Sequence, residues 1–112
     1  MDRLRWYIDG NIARTKTQVG GTYKLDRDYK PIRVNLSCRV AGTGTLPTEV
    51  DILADGVSIF DTKPALTVYQ TDKSWTTIPE NTLRQDSVIT LDITGISDLD
   101  TCRDLTGELE VI

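Results

Sequence analysis

Apolar and polar residues alternate along most of this chain, and wherever the alternation can be read its period is two. The longest run covers residues 32–40. There Ile32, Val34, Leu36, Cys38 and Val40 fall on one face and Arg33, Asn35, Ser37 and Arg39 on the other, the pattern of a strand with one face buried. A second run, residues 87–93, sets Ile89, Leu91 and Ile93 against Thr90 and Asp92. Leu4, Trp6 and Ile8 mark a first strand, and Leu105, Leu109 and Val111 a last one. Turn chemistry punctuates these runs. Asp9-Gly10-Asn11 predicts a turn after the first strand, and Asp55-Gly56 predicts a two-residue hairpin joining residues 50–54 to residues 57–60. Residues 65–69 and 75–78 are short β-prone pieces around the polar tip Gln70-Thr71-Asp72-Lys73-Ser74, which predicts a further hairpin. Between residues 12 and 25 the alternation is weak and broken by Gly20-Gly21, so a loose hairpin and an extended arm are both open there.

No segment shows a helical period with caps. About seven or eight short strands with turn signals roughly every ten residues point to an all-β antiparallel sandwich, jelly-roll or immunoglobulin-like. The 112 residues suit one domain, 1–112, with residues 1–30 forming either a partner-docking arm or part of a hairpin. Its composition, 38% hydrophobic and 27% charged, is that of a chain that can fold on a core of its own. The N-terminus carries charges where a signal peptide needs an apolar run, and no stretch approaches the ~20 apolar residues of a membrane span, so the expected product is soluble, made in the cytoplasm and free of membrane.

Charge changes this picture, because it is unevenly spread. Residues 1–40 hold nine Lys or Arg against four Asp, whereas residues 41–112 hold four against thirteen acids. A basic N-terminal part of this kind suits docking on an acidic surface, whether a partner's or the acidic body of a neighbouring copy. Arg3, Arg5, Trp6, Tyr7, Arg14 and Lys16 are the candidate contacts. Trp6 and Tyr7 lie on opposite faces of one strand, and aromatic residues beside arginines are the types enriched at interfaces. The overall charge of −4 and the single spacing of the basic residues argue against nucleic acid.

The chain has no histidine. That removes the usual general base, the Ser-His and Cys-His nucleophile pairs and histidine-ligated zinc, so no enzyme activity is expected. Carboxylate pairs such as Asp51 with Asp92 could serve a glycosidase, but outward-facing strand positions predict solvated charges. Asp98, Asp100 and Asp104 share a loop that could wrap calcium, yet it lacks an EF-hand's central glycine and closing glutamate, and Arg103 intrudes. No cofactor is expected. Tyr69, Asp72 and Trp75 surround the predicted polar tip, where aromatic rings beside a carboxylate could stack on and hydrogen-bond a glycan. Cys38 and Cys102 are too few for a disulfide scaffold, and synthesis in the cytosol favours free thiols.

The stretch Asp51-Ile52-Leu53-Ala54-Asp55-Gly56-Val57-Ser58-Ile59-Phe60 resembles a signature of tailed-phage virion β-sandwich domains: an acidic-aliphatic strand, an Asp-Gly turn, then Ser-Ile-Phe. Asp86-Ser87-Val88-Ile89-Thr90-Leu91-Asp92-Ile93 is similar to a later strand of such domains, and Asp104-Leu105-Thr106-Gly107-Glu108-Leu109-Glu110-Val111 to their terminal strand. Trp6 and Gly10-Asn11-Ile12-Ala13 extend the likeness. The family includes head decoration (cement) proteins and tail-fibre domains, commonly trimeric. The resemblance implies a structural protein of the bacteriophage virion. A capsid decoration protein would bind the major capsid protein and copies of itself as a homotrimer. The alternative is a tail module that binds a host-surface glycan or receptor.

Overall fold

The computed structural model describes residues 2–80, 82–97 and 101–112, and among these the ordered elements are nine strands. They are β1 (Asp2–Asn11), β2 (Tyr23–Lys24), β3 (Pro31–Val40), β4 (Thr48–Ala54), β5 (Val57–Ser58), β6 (Ala65–Leu66), β7 (Asp72–Trp75), β8 (Val88–Gly95) and β9 (Arg103–Val111). Every ladder is antiparallel. One sheet has the order β1-β9-β3-β7, and the other β2-β8-β4-β5, with β6 also on β4. The class expected from the alternation, an all-β antiparallel sandwich, is the one observed.

The topology also chooses between the two architectures left open. β5 and β6 lie against the same edge of β4: Ala54 and Leu53 pair with Val57 and Ser58, and Glu49 and Thr48 pair with Ala65 and Leu66. Bonds from Ile59 N to Ile52 O and from Val50 N to Pro64 O continue the ladder between them. They are one strand interrupted at 60–63. Numbered that way, the sheets read 1-8-3-6 facing 2-7-4-5, the strand order of a jelly roll, in which successive strands pass from sheet to sheet except at the hairpin between strands 4 and 5.

The core lies between the sheets and follows the alternation. Val34 and Leu36 from β3, Val50 and Ile52 from β4, Ile89, Leu91 and Ile93 from β8, and Leu105, Leu109 and Val111 from β9 are all buried. Gly107 takes an inward position of β9 close against the facing sheet; a Cβ there would stand 3.2 Å from Leu91 Cδ1 and 3.7 Å from Leu36 Cδ2. The hairpin between β4 and β5 turns at Asp55 and Gly56, with φ of 51° and 82°. Two consecutive residues at positive φ are what a two-residue turn between twisted strands requires.

Several local expectations are corrected. Asp9-Gly10-Asn11 is not a turn, because β1 runs on to Asn11 through an irregularity after Ile8, and Gly10 N donates to Asp104 Oδ1 at 2.7 Å. Residues 12–25 form neither a hairpin nor a free arm. They cross to the other sheet and run along the edge of β8, with Lys16 and Ile93 exchanging both backbone bonds and Val19 and Leu25 donating to Leu91 and Ser87. A backbone broken by Gly20-Gly21 can follow this edge without forming a regular strand. Residues 65–78 are not a hairpin either, since β6 joins β4 in one sheet and β7 joins β3 in the other. Within β3 the pairing slips between Pro31 and Arg33, so Pro31 is buried and Ile32 only half-buried, while Val40 is exposed at the far end.

Candidate functional site

Trp6 was a candidate contact, and the fold places it in the core with no exposed surface. Its indole Nε1 donates to Gly21 O at 3.2 Å, and its ring meets that of Tyr23 edge-on, centroids 5.4 Å apart. Tyr23 Oη in turn accepts from Arg5 N at 3.2 Å and donates to Arg5 O at 2.7 Å. Residues 20–23 thus close the side of the sandwich at β1 and satisfy backbone groups that an edge strand otherwise leaves open to pairing. Tyr7, on the opposite face, is exposed. Burial and the nearby carboxylates of Asp104 and Asp9 push its phenol above the ordinary value.

Arg3 and Arg5 face outward on β1, but not toward a free surface. The register sets Arg3 opposite Glu110 and Arg5 opposite Glu108, and β9 in turn sets Glu110 opposite Arg33 and Glu108 opposite Asn35. Arg5 Nη2 lies 2.6 Å from Glu108 Oε2, Arg3 Nη1 3.2 Å from Glu108 Oε1, Arg3 Nη2 3.1 Å from Glu110 Oε1, and Arg33 Nη1 3.5 Å from Glu110 Oε2. The basic half and the acidic half of the chain neutralise each other inside one molecule. Both glutamates are largely covered, at 8% and 5% exposure.

Burial pushes the Glu108 carboxyl up, but bonds from Arg5 and Asn35 and the charges of Arg3 and Arg5 outweigh that and hold it below the ordinary carboxylate range. A folded value below the unfolded one contributes stability that is complete above the unfolded carboxylate pKa of about 4.3 and is lost as pH falls through the folded value. Urea midpoints should therefore be level from neutral pH down to mild acid and then fall. Arg5→Gln should flatten that acid limb; an unchanged limb would show that Glu108 does not titrate through this contact.

Arg14 and Lys16 are the two basic candidates left with exposed side chains and, among the described residues, no ion pair. They flank an open groove of about 400 Å³ whose apolar floor comes from Ile8, Ile12, Ala13 and Ile93. Two distant parts of the chain build it: residues 8–16, from the end of β1 into the crossing segment, and Ile93 of β8. Alternation marks Ile8 and Ile93 as apolar positions, but only the crossing of residues 12–16 over the end of β8 brings them beside Arg14 and Lys16.

The glycan trio is not assembled. Trp75 pairs with the inward residue Val34, and Asp72 with the outward residue Ser37, so the two side chains leave β7 on opposite faces. Trp75 packs against the core with the Lys73 ammonium 5.2 Å from its ring centroid, and Tyr69 projects alone at φ 65°. Asp51 and Asp92 do sit opposite each other on β4 and β8. Asp51 is buried rather than solvated and accepts from Ser58 Oγ at 2.6 Å, while Asp92 accepts from Gln18 N at 2.9 Å. Of the proposed calcium loop, residues 98–100 lie outside the described residues, and Asp104 is bound to Arg39 and Gly10 N.

No family model matches the chain, and no curated protein does. Among solved structures, one described as "CBM4 structure and function" aligns with 98% of this chain and 81% of its own, at 13% identity and a TM-score of 0.33. A likeness of that size carries no argument about function.

Proposed function

We propose that this chain is a structural protein of a phage virion, a capsid decoration protein that docks on the shell through the groove flanked by Arg14 and Lys16. The observation that carries the reading is the contrast between the basic residues. Arg3, Arg5 and Arg33 are spent on Glu108 and Glu110, whereas Arg14 and Lys16 stand unpaired among the described residues beside an apolar floor. A groove of this kind fits an acidic surface loop carrying an aliphatic side chain. The resemblance of residues 51–60, 86–93 and 104–111 to virion domains supplies the identity of the surface, the major capsid protein, and the expectation of a homotrimer on it. The tail-module alternative draws no support from Tyr69, Asp72 and Trp75, which do not converge.

In this reading the protein acts by mass action. It binds the assembled head and not the separated subunits, so each docked copy shifts the balance toward the assembled state. Wild-type protein should co-sediment with heads that lack it and protect them from heat and osmotic shock. The Arg14→Glu/Lys16→Glu variant should bind about 100-fold more weakly, because like charges would then face each other across the contact, and added salt should weaken the wild type too. Heads equally resistant with and without the protein would overturn the reading. A variant that binds as the wild type does would move the docking surface elsewhere.

A further inference from the structure

The groove at Arg14 and Lys16 suits an acidic loop with an aliphatic side chain, and this chain carries such a loop itself. The hairpin Asp55-Gly56-Val57 joins β4 to β5, and all three residues are exposed. Val57, at 70% exposure, is the most exposed of the large aliphatic side chains among the described residues. The tip stands clear of the body, since a Cβ added to Gly56 would meet no atom within 4 Å. It is also held in place. Asp55 N donates to Val88 O and Val88 N donates to Asp55 Oδ1, both at 2.9 Å, so the turn is tied to the start of β8 and its carboxylate is oriented before any contact. Asp55 forms no ion pair among the described residues.

A molecule cannot place this tip in its own groove. The tip is bonded to Val88, whereas the groove is lined by Ile93 further along the same strand, about 17 Å away by the rise of an antiparallel strand. The two surfaces lie at different levels of an elongated body of 40 × 23 × 22 Å. They can meet only between molecules.

We infer that the groove takes the Asp55-Gly56-Val57 hairpin of a second copy, so that free copies associate head to tail and cover the surface that docks on the shell. Val57 lies on the apolar floor, and Asp55 faces Arg14 and Lys16. Complementary charge selects this occupant: the tip brings a carboxylate that has no cation, and the groove two cations that have no carboxylate. Two different surfaces meet, so the contact is heterologous; an associated pair keeps a free groove at one end and a free tip at the other, where further copies add. The contact is small and therefore weak, and a loop of the shell displaces it. The self-association needs only the groove, whereas its competition with the shell rests on the docking role proposed above.

The test is sedimentation of the free, full chain over concentrations up to millimolar, beside co-sedimentation with heads that lack the protein. The wild-type mass should rise above the monomer value with concentration, and added salt should lower it. Val57→Lys changes an exposed position and keeps the Asp55 turn, so the melting temperature should hold, yet association should weaken about 10- to 100-fold, the effect of losing one buried valine. Arg14→Glu/Lys16→Glu should stay monomeric too. An equal mixture of the two variants should associate, because the altered tip then meets the altered groove and the intact tip the intact groove. On heads, Val57→Lys should bind more tightly than the wild type at concentrations where the wild type associates, since its groove stays open. Heads that bind none of these proteins would remove the docking role and leave the head-to-tail contact standing on the sedimentation result. A wild type that is monomeric at every concentration, a Val57→Lys variant that associates as the wild type does, or a mixture that stays monomeric would overturn the inference, whatever the heads do.

Discussion

Trp6→Ala is expected to destabilise the domain by about 3–5 kcal/mol, the usual cost of truncating a fully buried aromatic side chain. For a domain whose total stability is about 5–15 kcal/mol, that loss leaves a marginal fold, with the melting temperature lower by roughly 15 °C or more. Three contributions vanish together: the apolar area of a ring with no exposed surface, the edge-on contact with Tyr23 and the hydrogen bond to Gly21 O. The surroundings collapse poorly onto the vacated space, because Gly20 and Gly21, which lie beside it, carry no side chains to fill it. Tyr23→Phe is the companion measurement. It keeps the ring contact and removes only the two bonds to the Arg5 backbone, at about 0.5–1.5 kcal/mol each. Urea unfolding of both variants distinguishes a core tryptophan from an interface one. A Trp6→Ala protein with wild-type stability but weakened assembly would return Trp6 to the surface role its position beside Tyr7 suggests from sequence.

Gly107→Val should cost about 1–3 kcal/mol through overpacking. Gly107 lies on β9, the second strand of its sheet, and faces Leu91 of the opposite sheet across the core. A Cβ 3.2 Å from Leu91 Cδ1 already requires the leucine to shift by a few tenths of an ångström, and two further methyl groups add volume beside Leu91 and Leu36. Gly107→Ala should be milder. Adding Leu91→Ala to Gly107→Val removes the opposing methyl groups, so the double variant should be more stable than the sum of the two single losses predicts. Strict additivity would mean that the sheets separate at this point and that the close approach is not a constraint. Gly107 does not line the groove at Arg14 and Lys16, so neither change should alter the proposed docking beyond its effect on the folded fraction.

The jelly-roll order does not itself select a function, since the same fold serves viral shells and carbohydrate-binding lectins. What favours a docking role is the distribution of unpaired charge. Near the N-terminus Arg3, Arg5, Arg33 and Arg39 are paired with acids of β9 and Arg27 with Asp2, whereas Arg14 and Lys16 stand beside an apolar groove without an ion pair among the described residues. The sandwich is no longer a body with a basic end and an acidic end, as the raw charge count suggests. It is a largely self-neutralised sheet face with a small basic site on another side.

The alternation at residues 32–40 and 87–93 was sufficient to establish the class, because a period of two with β-branched and leucine residues on one face can be satisfied only by burying that face of a sheet. The Asp55-Gly56 hairpin was equally legible, since two consecutive positive φ angles are a local demand met by local residue types. The absence of histidine narrowed the chemistry without any structure. Strand pairing was beyond local reading. Whether Arg3 and Arg5 meet a partner or Glu108 and Glu110 depends on β1 lying beside β9, a contact between the two ends of the chain. The same holds for Trp6, which needed residues 20–23 folded over it to become core, and for Asp72 and Trp75, which a strand in place of a loop turned to opposite faces. The groove at Arg14 and Lys16 belongs to that second kind, because it arises where the chain crosses between sheets. Local pattern determines which residues are inside a strand's face; only the long-range register determines which of the outward charges become neighbours.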